Sequence, residues 1–190
     1  AFASLRSMKA MINAEVRRRG LQMNVKLGAG GIREVEFIVQ AFQLIRGGQD
    51  KSLQTRELVK VLGILQAEGY LPAAACDELK QAYLFLRDSE HALQALNDEQ
   101  TQLLPDDAEA QTRIAWAMGC DDWPTYLHQL EQHRERVRHH FAQIVASDDD
   151  NEETDELQQV WNDLWLGELD EQQAATFLEQ HPCANSADVQ

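Results

Sequence analysis

The chain has 190 residues, 44% hydrophobic and 26% charged, with a formal net charge of −15, which suits one compact domain plus an appendage and a core that folds without disulfide staples. No run approaches the roughly 18 consecutive apolar residues that cross a bilayer, and residues 1–20 lack the uninterrupted apolar stretch of a signal peptide. Charge is uneven, at +5 over residues 1–46, −7 over 47–146 and −13 over 147–190, so most of the chain repels a phosphate backbone and a nucleic-acid partner is not expected.

Helical periodicity dominates in chain order. Leu5, Met8, Ile12 and Val16 are spaced for a helix over residues 3–19. It stops at Gly20 after Arg17, Arg18 and Arg19, whose cations oppose the negative end of the helix dipole. Val25 and Leu27 alternate in the one plausible strand, residues 23–27. A strand that short cannot stand alone in water, which predicts a pairing partner outside the chain. After residues 28–31, Val35, Ile38, Phe42 and Ile45 share one helix face until Gly47 and Gly48. Thr55 is placed to cap a helix bearing Leu58, Val61, Leu62 and Leu65, which ends before Gly69. Pro72 suits a first helical turn, and Leu79, Tyr83, Leu86, Leu93 and Leu96 carry the next helix to Asn97.

A polar loop with Pro105 leads to a short helix containing Ile114, Ala115 and Met118, ended by Gly119. Asp122 can cap a last long helix with Trp123, Leu127, Leu130, Val137, Phe141 and Ile144. The long helices, 73–97 and 122–146, each measure about 35–38 Å at 1.5 Å per residue. Their matched length and tight connections predict an all-α fold: an antiparallel four-helix up-and-down bundle with extra N-terminal and C-terminal helices and at most one short strand. Leu86, Leu93, Leu130 and Val137 are expected in its core. Past an acidic hinge at 148–153, two further helices form a linker or docking arm, the first bearing Leu157, Val160, Trp161, Leu164 and Trp165 and the second Ala174, Phe177 and Leu178.

Candidate chemistry centres on the run from Lys26 to Phe37, with Gly28, Gly30 and Gly31 ahead of a helix start. Glycines allow close backbone approach, and outward-pointing N–H groups at a helix start can cradle a phosphate. Neither standard phosphate loop is present, because Arg33 replaces the third glycine of GxGxxG and no Gly-Lys-Ser/Thr follows. A plain glycine turn joining strand to helix explains the same spacing. A cation in a first turn is disfavoured by the dipole, so Arg33 with Lys26 reads as an anion clamp or as a partner of Glu34 and Glu36. His133, His139 and His140 lie among Arg134, Arg136 and Arg138 without an HExxH pattern, and read as a solvated, partly self-compensating helix face. The acidic run at 148–150 lacks a rigid setting for Mg²⁺ and reads as a solvated hinge. No metal site is expected. Cys76, Cys120 and Cys183 are odd in number and widely spaced, which predicts reduced thiols in the cytoplasm and no nucleophile.

The run Lys26-x-Gly28-x-Gly30-Gly31-Ile32-Arg33-Glu34-Val35-Glu36-Phe37-Ile38-Val39-Gln40, followed by Gln43-Leu44-Ile45-Arg46-Gly47-Gly48, resembles the bacterial bifunctional glutamine synthetase adenylyltransferase/adenylyl-removing enzyme family. Asn97-Asp98-x-Gln100-Thr101-x-x-Leu104-Pro105 and Trp116-Ala117-Met118 extend the resemblance over residues 5–146. Related PII uridylyltransferases carry a similar Lys-x-Gly-x-Gly-Gly signature but read Leu-Arg-Asp where this chain has Ile32-Arg33-Glu34. The resemblance implies an enzyme of two nucleotidyltransferase-fold halves. One transfers AMP from ATP to a tyrosine of glutamine synthetase; the other removes it with phosphate, releasing ADP. The Ile-Arg-Glu-Val-Glu-Phe form points to the AMP-removing half.

The same resemblance implies that residues 1–31 are the C-terminal remnant of a nucleotidyltransferase domain, 32–146 the helical bundle and 147–190 an acidic hinge with linker helices. Lys26, Gly28, Gly30, Gly31, Arg33, Glu34 and Glu36 would line one wall of a nucleotide or phosphate pocket. The family's Gly-Ser-Asp-x-Asp turn and Asp-x-Arg-Leu-Arg-Pro segment do not occur here and would lie upstream of Ala1. The chain therefore reads as a fragment without catalytic residues, inactive by itself. Mg²⁺ and ATP or ADP belong to the full-length enzyme and are not expected to be held tightly by the fragment. Expected partners are glutamine synthetase, the PII signal protein and the enzyme's other domains, in the cytoplasm. The competing expectations are a non-catalytic helical module that binds such partners through exposed Trp161 and Trp165, or the equivalent region of a PII uridylyltransferase.

Overall fold

Apolar spacing at 3.6 residues per turn becomes helix throughout the computed structural model, which describes Arg18, residues 20–97 and residues 101–146. Among the described residues there are five α-helices: α1 (Ile32–Arg46), α2 (Leu58–Ala67), α3 (Ala73–Asn97), α4 (Ala108–Ala117) and α5 (Trp123–Ala146). Single 3-10 turns stand at Leu21–Met23 and Lys51–Leu53. The helix expected over 3–19, the acidic hinge, Trp161, Trp165, Cys183 and the arm that carries them lie outside the described residues.

The stop and start signals act locally. Asp122 Oδ1 accepts from Thr125 N at 2.8 Å and opens α5, and Asp107 Oδ1 accepts from Ala110 N at 2.8 Å and opens α4. Gly69 and Gly119, at φ 69° and 71°, close α2 and α4; beyond them Tyr70 N bonds Leu65 O and Cys120 N bonds Ala115 O, both at 2.9 Å. Pro72 stands just ahead of α3 and its carbonyl accepts from Cys76 N at 3.1 Å. Thr55 does not cap α2. The helix begins at Leu58 with Glu57 at the N-cap, and Thr55 Oγ1 only receives Glu57 N at 3.4 Å.

The long helices α3 and α5 make the most extensive pairing in the fold. Glu78 meets His140, and seven residues further along α3 Phe85 stacks on His133, seven residues back along α5. The two helices are therefore antiparallel. They run through two cores. The first joins α1, α2, the start of α3 and the end of α5 through Val35, Ile38, Leu62, Leu65, Leu79 and Val137. The second joins the opposite ends of α3 and α5 to α4 and the start of α1 through Ile32, Leu86, Leu93, Ile114, Tyr126 and Leu130. The four expected core positions, Leu86, Leu93, Leu130 and Val137, are all buried. Ile45 departs from the expected face: it is 50% exposed, while its neighbours Gln43 and Arg46 make the contacts of that turn, Gln43 with the carbonyls of Leu53 and Thr55 and Arg46 over the Tyr70 ring.

The strand expected over 23–27 is reduced to one residue pair. Asn24 and Leu103 form an isolated antiparallel bridge, with Val25 N on Gln102 O at 2.9 Å and Leu104 N on Met23 O at 3.1 Å. Its partner comes from the loop before α4, not from outside the chain. Val25 is fully buried in the second core, so residues 24–31 are built into the packing of the bundle. No helix among the described residues is long and apolar enough to cross a membrane.

Candidate functional site

The glycine run is a compact knot held by its own backbone. Asn24 Oδ1 receives the amides of Lys26 and Leu27 at 2.9 and 2.8 Å, an Asx-type turn that a short amide side chain makes readily. Gly28 N then bonds Asn24 O and Gly31 N bonds Gly28 O, both at 2.9 Å. The first amides of α1 are likewise taken: Ile32 N bonds Val25 O and Arg33 N bonds Lys26 O at 3.2 Å, and Glu34 N bonds Gly31 O at 3.1 Å. The amides of Gly31, Ile32, Arg33 and Glu34 thus point into the knot, where a phosphate cradle would need them outward. The glycines answer to packing. A Cβ on Gly28 would lie 2.5 Å from Asn24 O, and one on Gly31 2.6 Å from Lys26 O.

Charge gathers where the knot meets α3. Lys26 Nζ lies 3.6 Å from Glu90 Oε1, and Arg87 Nη1 donates to Glu90 Oε2 at 2.6 Å. The Glu90 side chain is 3% exposed, while those of Lys26 and Arg87 remain 31% and 34% exposed, so two reachable cations cover a buried carboxylate. Glu36 joins them one turn into α1. Burial pushes its carboxyl above the ordinary range, Lys26, Arg87 and Arg33 pull it down, and Glu90 pushes it up. Burial lowers Arg33, with Glu36 opposing. Lys26, Arg33 and Arg87 thus surround Glu36, and Lys26 and Arg87 also reach Glu90, a gathering of cations on an acidic chain. Arg87 and Glu90 were not singled out by sequence; their i,i+3 spacing on α3 was the available signal.

The expected solvated face of the last helix is half wrong. Arg138 is the surface case, pairing with Glu131 at 2.6 Å and with Glu135. Arg134 is only 5% exposed. Its Nη1 donates to Gln22 O at 3.1 Å and its Nη2 to Asn24 O at 2.8 Å. His140 is buried against Glu78 at 2.6 Å. His133 stacks on Phe85 with centroids 4.5 Å apart, and burial first, then Arg136, lowers its pKa. Burial also raises both buried thiols, Cys76 and Cys120, helped by neighbouring aspartates. Among the described residues no three His, Cys, Asp or Glu side chains converge to hold a metal ion. With the knot's amides also engaged, these residues do not by themselves fit Mg²⁺ or a nucleotide triphosphate.

Glu36 offers a pH test. Its raised folded value means that between the unfolded and folded values the folded chain holds a proton the unfolded chain has released, and that at any pH above them the desolvated carboxylate subtracts stability. That loss disappears as pH falls below the unfolded glutamate value of about 4.3, where both states are protonated. Glu36→Gln is expected to raise the thermal midpoint at neutral pH and to leave it unchanged in strongly acidic buffer. A midpoint lowered at neutral pH would show that the attraction of Lys26, Arg87 and Arg33 for the Glu36 carboxylate outweighs its burial.

Residues 6–145 match the family described as GlnD PII-uridylyltransferase. The chain belongs to that family. Within it, the chain is similar to the bifunctional glutamine synthetase adenylyltransferase/adenylyl-removing enzymes of Pseudomonas putida, 50% identical over 182 residues, and Hahella chejuensis, 46% identical over 191 residues. These alignments cover 95% and 100% of this chain but only 19% and 20% of the relatives, so the chain spans about one fifth of their length. The similarity bears out the resemblance carried by the glycine run, and Lys26 through Glu36 all fall inside the matched family segment.

Proposed function

We propose that the chain is part of the AMP-removing half of a bifunctional glutamine synthetase adenylyltransferase/adenylyl-removing enzyme, with Lys26, Gly28, Gly30, Gly31, Arg33, Glu34 and Glu36 forming one wall of its nucleotide or phosphate pocket. The observation that carries this reading is the gathering of Lys26, Arg33 and Arg87 around Glu36 at the edge of the glycine knot, with the side chains of Lys26 and Arg87 still about one third exposed. Attack of a phosphate oxygen on the AMP phosphorus brings two anions together, and cations placed beside them offset the repulsion. The glycines contribute by making the knot tight enough to bring Lys26 and Arg33 to one edge. In this reading residues 1–31 are the C-terminal remnant of a nucleotidyltransferase-fold domain, 32–146 the helical bundle and 147–190 an acidic hinge with linker helices. Mg²⁺ and ATP or ADP are held by the complete enzyme, in the cytoplasm, where glutamine synthetase is the substrate and the PII protein a regulator.

In the complete enzyme, Arg33→Ala is expected to lower phosphorolytic AMP removal about 10-fold or more, with a much smaller proportional loss of thermal stability. Normal phosphorolysis in that variant removes Arg33 from the pocket. A second reading is favoured by one observation: Trp116 on α4 is 82% exposed, as on a contact surface. In that reading the chain is a helical docking module that contacts its partners through Trp116, Trp161 and Trp165. Titrating the chain with ATP and ADP, and separately with glutamine synthetase and PII, separates the two; partner binding with silent nucleotides favours docking.

A further inference from the structure

We infer that Arg134 is a positioning residue for the Lys26 edge of the pocket wall: by gripping the glycine knot on both flanks of Lys26, it sets where that ammonium stands. The inference rests on the pocket-wall reading above. Before Lys26, the Arg134 guanidinium spans the carbonyls of Gln22 and Asn24, two residues apart, at 3.1 and 2.8 Å. After Lys26, Gly30 lies directly on the Arg134 backbone, where a Cβ would come 2.7 Å from its Cα. Asn24 passes the first grip on, since its side chain holds the amides of Lys26 and Leu27 and its carbonyl also takes Gly28 N. Lys26 then reaches Glu90 on α3. Arg138, one turn further along α5, adds only a longer contact to Ala29 O at 3.5 Å, so Arg134 supplies the closer hold on the knot that orients Lys26 between two other elements.

Filling that space does not require a charge. A buried cation loses its hydration, and an apolar side chain of similar volume commonly serves stability as well or better. What an apolar side chain cannot do is bind two carbonyls at once with a rigid planar fork. The guanidinium accounts for geometry that packing alone leaves free.

The test uses the complete enzyme, with Arg134→Met, Arg134→Lys and Lys26→Met. A reacting group displaced by about 1 Å can cost on the order of 100-fold in rate. Arg134→Met is therefore expected to lower kcat for AMP removal about 10- to 100-fold, with a smaller change in KM for phosphate and AMP attachment held within about twofold. Arg134→Lys, which restores the charge and N–H donors on a single nitrogen but not the planar fork, should recover part of the loss. Hydrogen exchange gives a readout independent of activity: in Arg134→Met the amides of Lys26, Leu27 and Gly28 should exchange about 10-fold faster or more while the core of α3 is unchanged. Unchanged exchange there, no recovery with Lys, or equal loss of both activities with the thermal midpoint overturns the inference. Should Arg134→Met fail to fold, Asn24→Ala keeps the carbonyl that Arg134 grips but removes the Oδ1 bonds that pass the grip on to the amides of Lys26 and Leu27, and normal kcat in that variant overturns it equally. If Lys26→Met leaves AMP removal intact while the exchange result holds, the pocket-wall reading fails and the grip of Arg134 on the knot stands.

Discussion

Gly30→Ala is expected to lower the unfolding free energy by about 2–5 kcal/mol, the sum of two separable effects. Gly30 has φ 74°, a left-handed conformation that costs an L side chain about 1–2 kcal/mol. Its Cβ would also lie 2.7 and 2.8 Å from the Cα and carbonyl carbon of Arg134. That backbone belongs to α5 and is held by the helix's own hydrogen bonds, so it cannot swing aside like the tip of a side chain. Overpacking of this kind costs about 1–3 kcal/mol. Gly119→Ala isolates the first effect, because Gly119 has φ 71° but nothing within 4 Å of an added Cβ. Urea denaturation of both variants measures the difference. Equal losses would mean that the approach of the knot to α5 contributes nothing to stability.

Leu86→Ala is expected to cost about 2–5 kcal/mol, the usual range for truncating a fully buried leucine when the cavity does not collapse. Leu86 has no exposed surface and lies in the second core with Ile32, Tyr126 and Leu130, where α1, α3 and α5 come together. Little there is free to move into the vacated space. Leu84, two residues earlier on the same helix, is 46% exposed, and its truncation should stay within about 0.5 kcal/mol. Chemical denaturation of the pair reads the register of α3 directly. A Leu84 variant as damaged as the Leu86 variant would require α3 to be rotated from its observed facing.

These two sites differ in how far the amino-acid order reveals them. Leu86 belongs to a repeat with Leu79 and Leu93, and one helix's own geometry sends all three to the same side. The caps of α4 and α5 and the terminating Gly69 and Gly119 are legible for the same reason: each acts within about one turn. Gly30 is legible only as a glycine in a turn. That it touches α5 at Arg134, more than a hundred residues on, depends on how α5 crosses the knot. The short ladder at Asn24 follows the same logic, since a strand this brief is defined by its partner, and Leu103 sits in a loop that shows no strand pattern. Arg134 misleads most, because HRERVRHH reads as a charged outer face while its second residue is buried.

By itself, the order of residues determined the helical class, the limits of the long helices, the apolar positions that line the core and the family to which the glycine run points. Those depend on preferences that operate along one segment, where neighbours in space are also neighbours in sequence. Tertiary structure alone decided that the knot's amides turn inward, that Arg87 and Glu90 join Lys26 and Glu36, and that Arg134 rather than Arg138 is enclosed. The free energy of a charge or an unpaired amide is set by what remains beside it once water is excluded, and that is known only when separate elements have met.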